Sequence, residues 1–147
     1  MKVQRYIIIF LLLGFGISTN AQNAEADLIG TWAFDYEASA SKMESTVKTR
    51  IDSMPAERRA KIESNYRGRS LTFNADGSFS LSLADGRGYT GTWGLDSGSN
   101  TLTMTTPRGT VDSHKIKSLT GGNLVLRPET DGRKGKPMIP EWHYNKN

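Results

Sequence analysis

Gly30-Thr31-Trp32-Ala33-Phe34-Asp35-Tyr36 is the stretch on which the fold turns. Trp32, Phe34 and Tyr36 alternate with Thr31, Ala33 and Asp35. An extended chain therefore puts three aromatics on one face and smaller or polar groups on the other. That is the pattern of a half-buried strand, opened by Leu28-Ile29 after a polar lead from Gln22 to Asp27. The triplet Gly-Thr-Trp returns at Gly91-Thr92-Trp93, again inside an alternating run. Leu71 and Phe73, then Phe79, Leu81 and Leu83, then Tyr89, Gly91, Trp93 and Leu95, then Leu102 and Met104 each keep one parity against mostly small or polar residues. Asp76-Gly77 and Asp85-Gly86 fall between such runs, which is a strong hairpin signal.

Further turns are read at 96–100, 107–109 and 120–123. Leu124 and Leu126 carry a short strand, and Trp142 and Tyr144 carry a last one behind Pro137 and Pro140. Val111 and Ile116 fall on opposite parities, so a bulge between them or a loose edge is expected. One segment breaks the alternation. Between residues 39 and 67, Met43, Val47, Ile51 and Met54 are spaced along one side of a helix, with Ser39 or Ser41 as its cap. Pro55 ends that helix and starts a second, which carries Ile62 and Tyr66 and stops at Gly68.

Eight strands joined mostly by tight turns, each with a single apolar face, predict an all-β fold. The architecture expected is an eight-stranded antiparallel up-and-down barrel with a helix-turn-helix insertion, about 39–67, between strands 1 and 2. A two-sheet sandwich is the competitor, but the consecutive turns give no sign of crossovers.

At 147 residues the chain has room for one domain. Lys2 and Arg5 precede an unbroken apolar run over 6–15, and Ser18, Thr19, Asn20 and Ala21 follow it. That run is short for a bilayer span and has the order of a secretory leader. Residues 1–21 are accordingly expected to be a signal peptide and 22–147 an exported domain, periplasmic or secreted, with no membrane span after cleavage. The absence of cysteine excludes disulfides, thiol catalysis and a lipid-bearing cysteine. Without Lys2 and Arg5 the 19 basic residues become 17 against 15 acidic ones, an excess of two, and the charges are interspersed. Arg133, Lys134 and Lys136 make the one cluster, in a Gly-rich loop, so no nucleic-acid partner is expected.

The residues Leu28-Ile29-Gly30-Thr31-Trp32, the run from Leu71 to Phe79 (LTFNADGSF) and Gly91-Thr92-Trp93-Gly94-Leu95 resemble the small bacterial lipocalin-like domain proteins. The likeness extends over 27–147. The leader ending at Ala21-Gln22 looks like those of Bacteroidota, and the helices after the first strand are similar to the lid of fatty-acid-binding proteins. The resemblance implies a barrel floor at Gly30 and Trp32, crossed by a basic side chain from late in the chain, for which Arg127 is the candidate. It also implies a small hydrophobic or amphipathic ligand inside the barrel. Phe34, Tyr36, Phe73, Phe79, Leu81, Tyr89, Trp93 and Met104 would line its cavity, and Met43, Val47 and Ile51 would close it from above. Gly91 would leave space, and Trp93 would lie nearer the ligand than Trp32.

An eight-stranded barrel can equally be filled by its own side chains. A solid barrel serving as a structural or interaction module of the cell envelope is therefore the alternative. No catalytic arrangement, cofactor motif or phosphate loop is visible, so no enzymatic activity and no cofactor are expected. Asp112 with His114 and Glu141 with His143 each share a strand face, but two such pairs fall short of the convergent ligands of a metal site, and none is expected.

Overall fold

The computed structural model describes residues 19–130 and 135–147, with side chains from residue 23 onward. The apolar run expected to belong to a signal peptide and the basic residues Arg133 and Lys134 lie outside the described residues. Strands β1 (Gly30–Asp35), β2 (Ser70–Phe73), β3 (Ser78–Ser82), β4 (Gly88–Asp96), β5 (Thr101–Thr105), β6 (Val111–Leu119), β7 (Asn123–Pro128) and β8 (Trp142–Lys146) form a closed barrel in sequence order. Every neighbouring pair is antiparallel, and β8 closes on β1 through Trp32 opposite Lys146 and Phe34 opposite Tyr144. Closure leaves no free sheet edge, which an apolar face on every strand demands.

The alternation determines what fills the interior. Trp32, Phe34, Leu71, Phe73, Phe79, Leu81, Leu102, Met104, Leu124, Leu126 and Tyr144 form one buried cluster, while their strand neighbours face outward. The hairpins after β2 and β3 turn at Gly77 and Gly86, both at φ +83°, a conformation open to glycine. Asp76 accepts from the backbone N–H of Ser78, and Asp85 from that of Arg87, fixing each turn.

Several details differ from the sequence reading. The lead is a helix, α1 (Thr19–Leu28), so the first strand starts at Gly30 and not at Leu28. Leu28 is buried beneath the barrel, where its carbonyl accepts from Trp32 Nε1 at 2.7 Å. Tyr36 is no longer in the strand. Asp35 caps a short helix, α2 (Tyr36–Ala40), by accepting from Ala38 N at 3.0 Å, and this cap ends β1 one residue early. The insertion thus holds three helices, with α3 (Ser45–Asp52) and α4 (Ala56–Ser64) following. Neither Ser39 nor Ser41 caps α3, whose N-cap is Glu44. Ser39 is instead fully buried. It donates to Asp35 O at 2.6 Å and accepts from His143 N at 2.8 Å, which ties α2 to β8. The register shift in β6 falls between Ile116 and Ser118 rather than before Ile116. Val111 simply faces water, 54% exposed, so its parity never conflicted with that of Ile116.

Candidate functional site

The strands define two ends. The lower end holds the start of β1 and the turns after β2, β4 and β6; the upper end holds the turns after β3 and β5 and the long connections after β1 and β7. At the lower end Trp32, Phe73, Phe79, Leu102 and Leu124 have at most 1% of their surface exposed. Lys146 crosses this floor, with Nζ 4.9 Å from the centre of the Trp32 ring and donating to Asp27 O at 2.9 Å. The basic side chain over the tryptophan is therefore Lys146. Arg127 stands at the upper end of β7 on the outer face, opposite Lys115, and is exposed. It was misplaced because the register of β8 against β1 is invisible in the sequence.

The upper half is different. A cavity of about 390 Å³ opens there, lined by the apolar Leu71, Leu81, Leu83, Met104 and Trp142 and by the polar Arg69, Tyr89, Asp112, His114 and Tyr144. Its mouth is rimmed by Pro128, Glu129, Thr130, Gly135 and Pro137 from the connection between β7 and β8. Of the residues expected to line a cavity, Leu81, Tyr89 and Met104 do so. Phe34 lies behind the wall, its ring 5.2 Å from that of Tyr144 and 6.5 Å from that of Trp142.

The remaining expected residues stand elsewhere. Phe73 and Phe79 belong to the packed lower half. Trp93 stacks edge-on against Phe73 at 5.4 Å and donates to Asn74 O at 3.1 Å, so it too is a lower-end residue and not the ligand's neighbour. The space expected at Gly91 is already taken. A Cβ there would collide with the Thr105 carbonyl oxygen and lie 2.7 Å from the Phe79 ring. Tyr36, Met43 and Ile51 line a separate pocket of about 150 Å³ with Lys48, Asp52, Arg59 and Arg67. Val47 lines a surface groove with Glu44, Arg50, Arg127 and Met138. The helices flank the barrel, and the connection after β7, not the insertion, borders the cavity mouth.

Of the polar lining residues, Arg69, Asp112, His114 and Tyr144 were missed by sequence reasoning. His114 and Asp112 face inward, not onto the surface, and His114 is 4% exposed with its ring 5.1 Å from that of Trp142. Burial lowers the tendency of His114 to take a proton, against the opposing pull of Asp112 and Glu129. Tyr144 is 1% exposed, and burial pushes its phenol up to about 12, with the Arg69 guanidinium pulling the other way. Arg69 sits among aromatic rings, its guanidinium carbon 5.0 Å from the centre of Tyr66, 5.4 Å from Trp142 and 5.8 Å from Phe34. Arg69 Nε, His114 Nδ1 and Tyr144 OH are buried without a well-formed hydrogen bond among the described residues, although the Arg69 guanidinium is close enough to the Tyr144 hydroxyl to favour its ionised form by donating to it. Buried polar atoms are nearly always paired, and each one left unpaired costs stability. Three such atoms meet at one cavity.

The chemistry on hand is recognition by charge, hydrogen bond and apolar contact. Among the described residues no group of three or more His, Asp or Glu side chains is arranged to hold a metal ion. No helix among them is long and apolar enough to cross a membrane.

Comparison with known proteins agrees with this architecture. The model of the lipocalin-like domain family matches residues 28–126, about two thirds of the chain. The chain belongs to that family. Solved structures similar to the chain include proteins from Bacteroides. One is a DUF4847 family protein from Bacteroides vulgatus ATCC 8482, at 18% identity over 84% of this chain and 96% of that one, with a TM-score of 0.48. Another, a lipocalin-like protein from Bacteroides uniformis ATCC 8492, is 17% identical over 82% and 99%, with a TM-score of 0.45. A protein from Bacteroides uniformis ATCC 8492 solved by NMR is 13% identical over 83% and 90%, with a TM-score of 0.49. No curated protein matches the chain in sequence.

Proposed function

We propose that this protein binds a small amphipathic ligand in the upper half of its barrel, and that it does so as an exported protein, periplasmic or secreted. The observation that carries the binding reading is the cavity of about 390 Å³, lined by apolar and polar side chains together, above a floor of side chains at most 1% exposed. Ligand pockets are of this size and this composition, mainly apolar with a few polar groups that set orientation. Membership of the lipocalin-like family supports the same reading. Export rests on the leader at 1–21, whose Ala21 cleavage point falls in the first turn of α1. Nothing in the described residues calls for catalysis, and binding without turnover is part of the proposal.

The test is titration of the mature chain with a neutral solvatochromic dye such as Nile red, followed by displacement with single-chain lipids. Saturable binding at one dye per chain is expected, abolished by Met104→Trp or Leu81→Trp, which fill the cavity. The absence of saturable binding, or binding indifferent to both fillings, would overturn the proposal. Fractionation of cells making the full chain, with mass measurement of the exported product, tests the cleavage after Ala21.

A further inference from the structure

The surface groove beside α3 has a volume of about 470 Å³ and is built by α3, the end of β7 and the connection to β8. Val47, Pro128, Pro137, Met138 and Pro140 are its apolar lining, and all five are half-buried. Glu44, Arg50, Arg127 and Lys136 are its charged lining, and all four are exposed. The apolar groups are thus recessed and the charges stand out.

The lining is fixed before anything docks. Three of the five prolines of the chain belong to it, and each holds its backbone φ near one value. Between Met138 and Pro140, the Ile139 side chain is 1% exposed in the core, and its carbonyl accepts from Trp142 Nε1 at 3.1 Å. A surface held in this way loses little freedom on binding, while Met138 adapts its shape to a guest.

The charges do not cancel. Glu44 meets Lys136 at 3.5 Å, in a pair with side chains 62% and 87% exposed, which contributes little to stability. Among the described residues no carboxylate lies within ion-pair distance of Arg50 or Arg127. Other cations of the helical insertion are matched, Lys48 by Asp52 and Arg67 by Glu37 and Glu63. Three cations against one anion leave the groove positive. A membrane surface is met by apolar groups that project, and here they are recessed. A small inorganic anion would leave the apolar lining unused. A peptide with an apolar side chain between carboxylates uses both, because the planar guanidinium grips a carboxylate through paired hydrogen bonds. Arginine and methionine are also side chains in which protein interfaces are rich.

We infer that this groove docks an extended acidic segment of a partner protein, with an apolar side chain against the prolines and Met138 and carboxylates on Arg50 and Arg127. Pro128 and Pro137 border the cavity mouth as well, so the docked segment lies beside that mouth without entering it.

The experiment selects binders from a random decapeptide library displayed on phage, with the mature chain immobilised, and measures each selected peptide by fluorescence anisotropy. The selected sequences should carry several Asp or Glu around a Leu, Met or Phe. Arg50→Glu and Arg127→Glu should each weaken them about tenfold or more, and affinity should fall as salt rises. Both positions are exposed, so both variants should unfold at the same urea concentration as the wild type, which separates lost docking from lost fold. Selection of no peptide, of neutral or basic peptides, or of acidic peptides that bind both variants unchanged overturns the inference. Binding to phosphatidylglycerol vesicles in place of peptides, or a dimer in light scattering that both variants dissolve, assigns the groove to a lipid surface or a second copy and overturns it too.

Discussion

At the lower end of the barrel Trp32, Phe73, Phe79, Leu102 and Leu124 meet with at most 1% of their surface exposed, whereas at the upper end the same strands surround a cavity of about 390 Å³. Both ends obey one rule of alternation. What differs is the chemistry of the inward residues. Below, they are aromatic or aliphatic, and the polar atoms of Trp32 and Trp93 are satisfied by backbone carbonyls. Above, Arg69, His114 and Tyr144 point inward with buried atoms that lack a well-formed hydrogen bond. A protein stabilising only itself would fill the second half as it fills the first, since unpaired buried donors are a net cost. The lower half is packed solid, and the upper half surrounds a cavity lined by polar groups.

The largest effect that would break this contrast is in the floor. Trp32→Ala should destabilise by about 3–5 kcal/mol in urea unfolding, the range for a buried aromatic lost with little collapse. An upper-half replacement, Tyr144→Phe, should change stability by no more than about 1 kcal/mol, since the hydroxyl it removes is buried without a well-formed hydrogen bond. A floor variant as stable as the wild type, or a Tyr144→Phe protein that loses as much as Trp32→Ala, would erase the distinction.

Alkaline titration gives the next largest effect. The Tyr144 phenol ionises near 10.0 in the unfolded chain and near 12 in the folded one. Across that interval the folded state holds the extra proton, so stability falls as pH rises. The loss amounts to about 2–3 kcal/mol. Tyr144→Phe should flatten that part of the curve. His114 acts at the other end. Its folded pKa lies below 6.5, so the unfolded state gains the proton first, and stability falls as pH drops below 6.5. A variant lacking this imidazole, His114→Gln, should lose that acid dependence.

Gly91→Ala sharpens the contrast from the packing side. Its Cβ meets the Thr105 carbonyl and the Phe79 ring, so a loss of about 1–3 kcal/mol is expected where a free space would have accepted a methyl group. The smallest effect separates two basic residues. Lys146→Ala should cost about 1 kcal/mol through the lost contact with Trp32 and the hydrogen bond to Asp27 O. Arg127→Ala, at an exposed position, should stay within about 0.5 kcal/mol of the wild type.

Much of the fold was legible because alternation and turn chemistry are local. Trp32 and Phe34, Leu71 and Phe73, and the two Asp-Gly turns state strand, face and hairpin without knowledge of any partner. The short helix α2 was not legible, since Tyr36 continues the aromatic parity and only the cap made by Asp35 takes it out of the strand. The candidate site was harder. Its members Leu81, Tyr89 and Met104 follow from parity, but Asp112 and His114 were read as surface on account of their type, and Arg69 was not singled out. The signal was present: Asp112 and His114 share parity with the inward Ile116, and Arg69 with Leu71 and Phe73. What hid it was a bulge expected before Ile116 that lies after it. The identity of the floor's basic residue depended on the pairing of β8 with β1 across more than a hundred residues of chain, for which no local pattern exists.

Three tryptophans report on the two halves directly. Trp142 borders the cavity and donates to Ile139 O at 3.1 Å, while Trp32 and Trp93 lie in the lower half. Their indole N–H resonances, assigned by single Trp→Phe replacements, can be followed by NMR as decanoate is added. Saturable movement of the Trp142 signal with Trp32 and Trp93 unmoved is the predicted result. Movement of Trp32 or Trp93 with Trp142 still, or no movement of any of the three, would contradict a packed floor beneath a ligand-binding upper half.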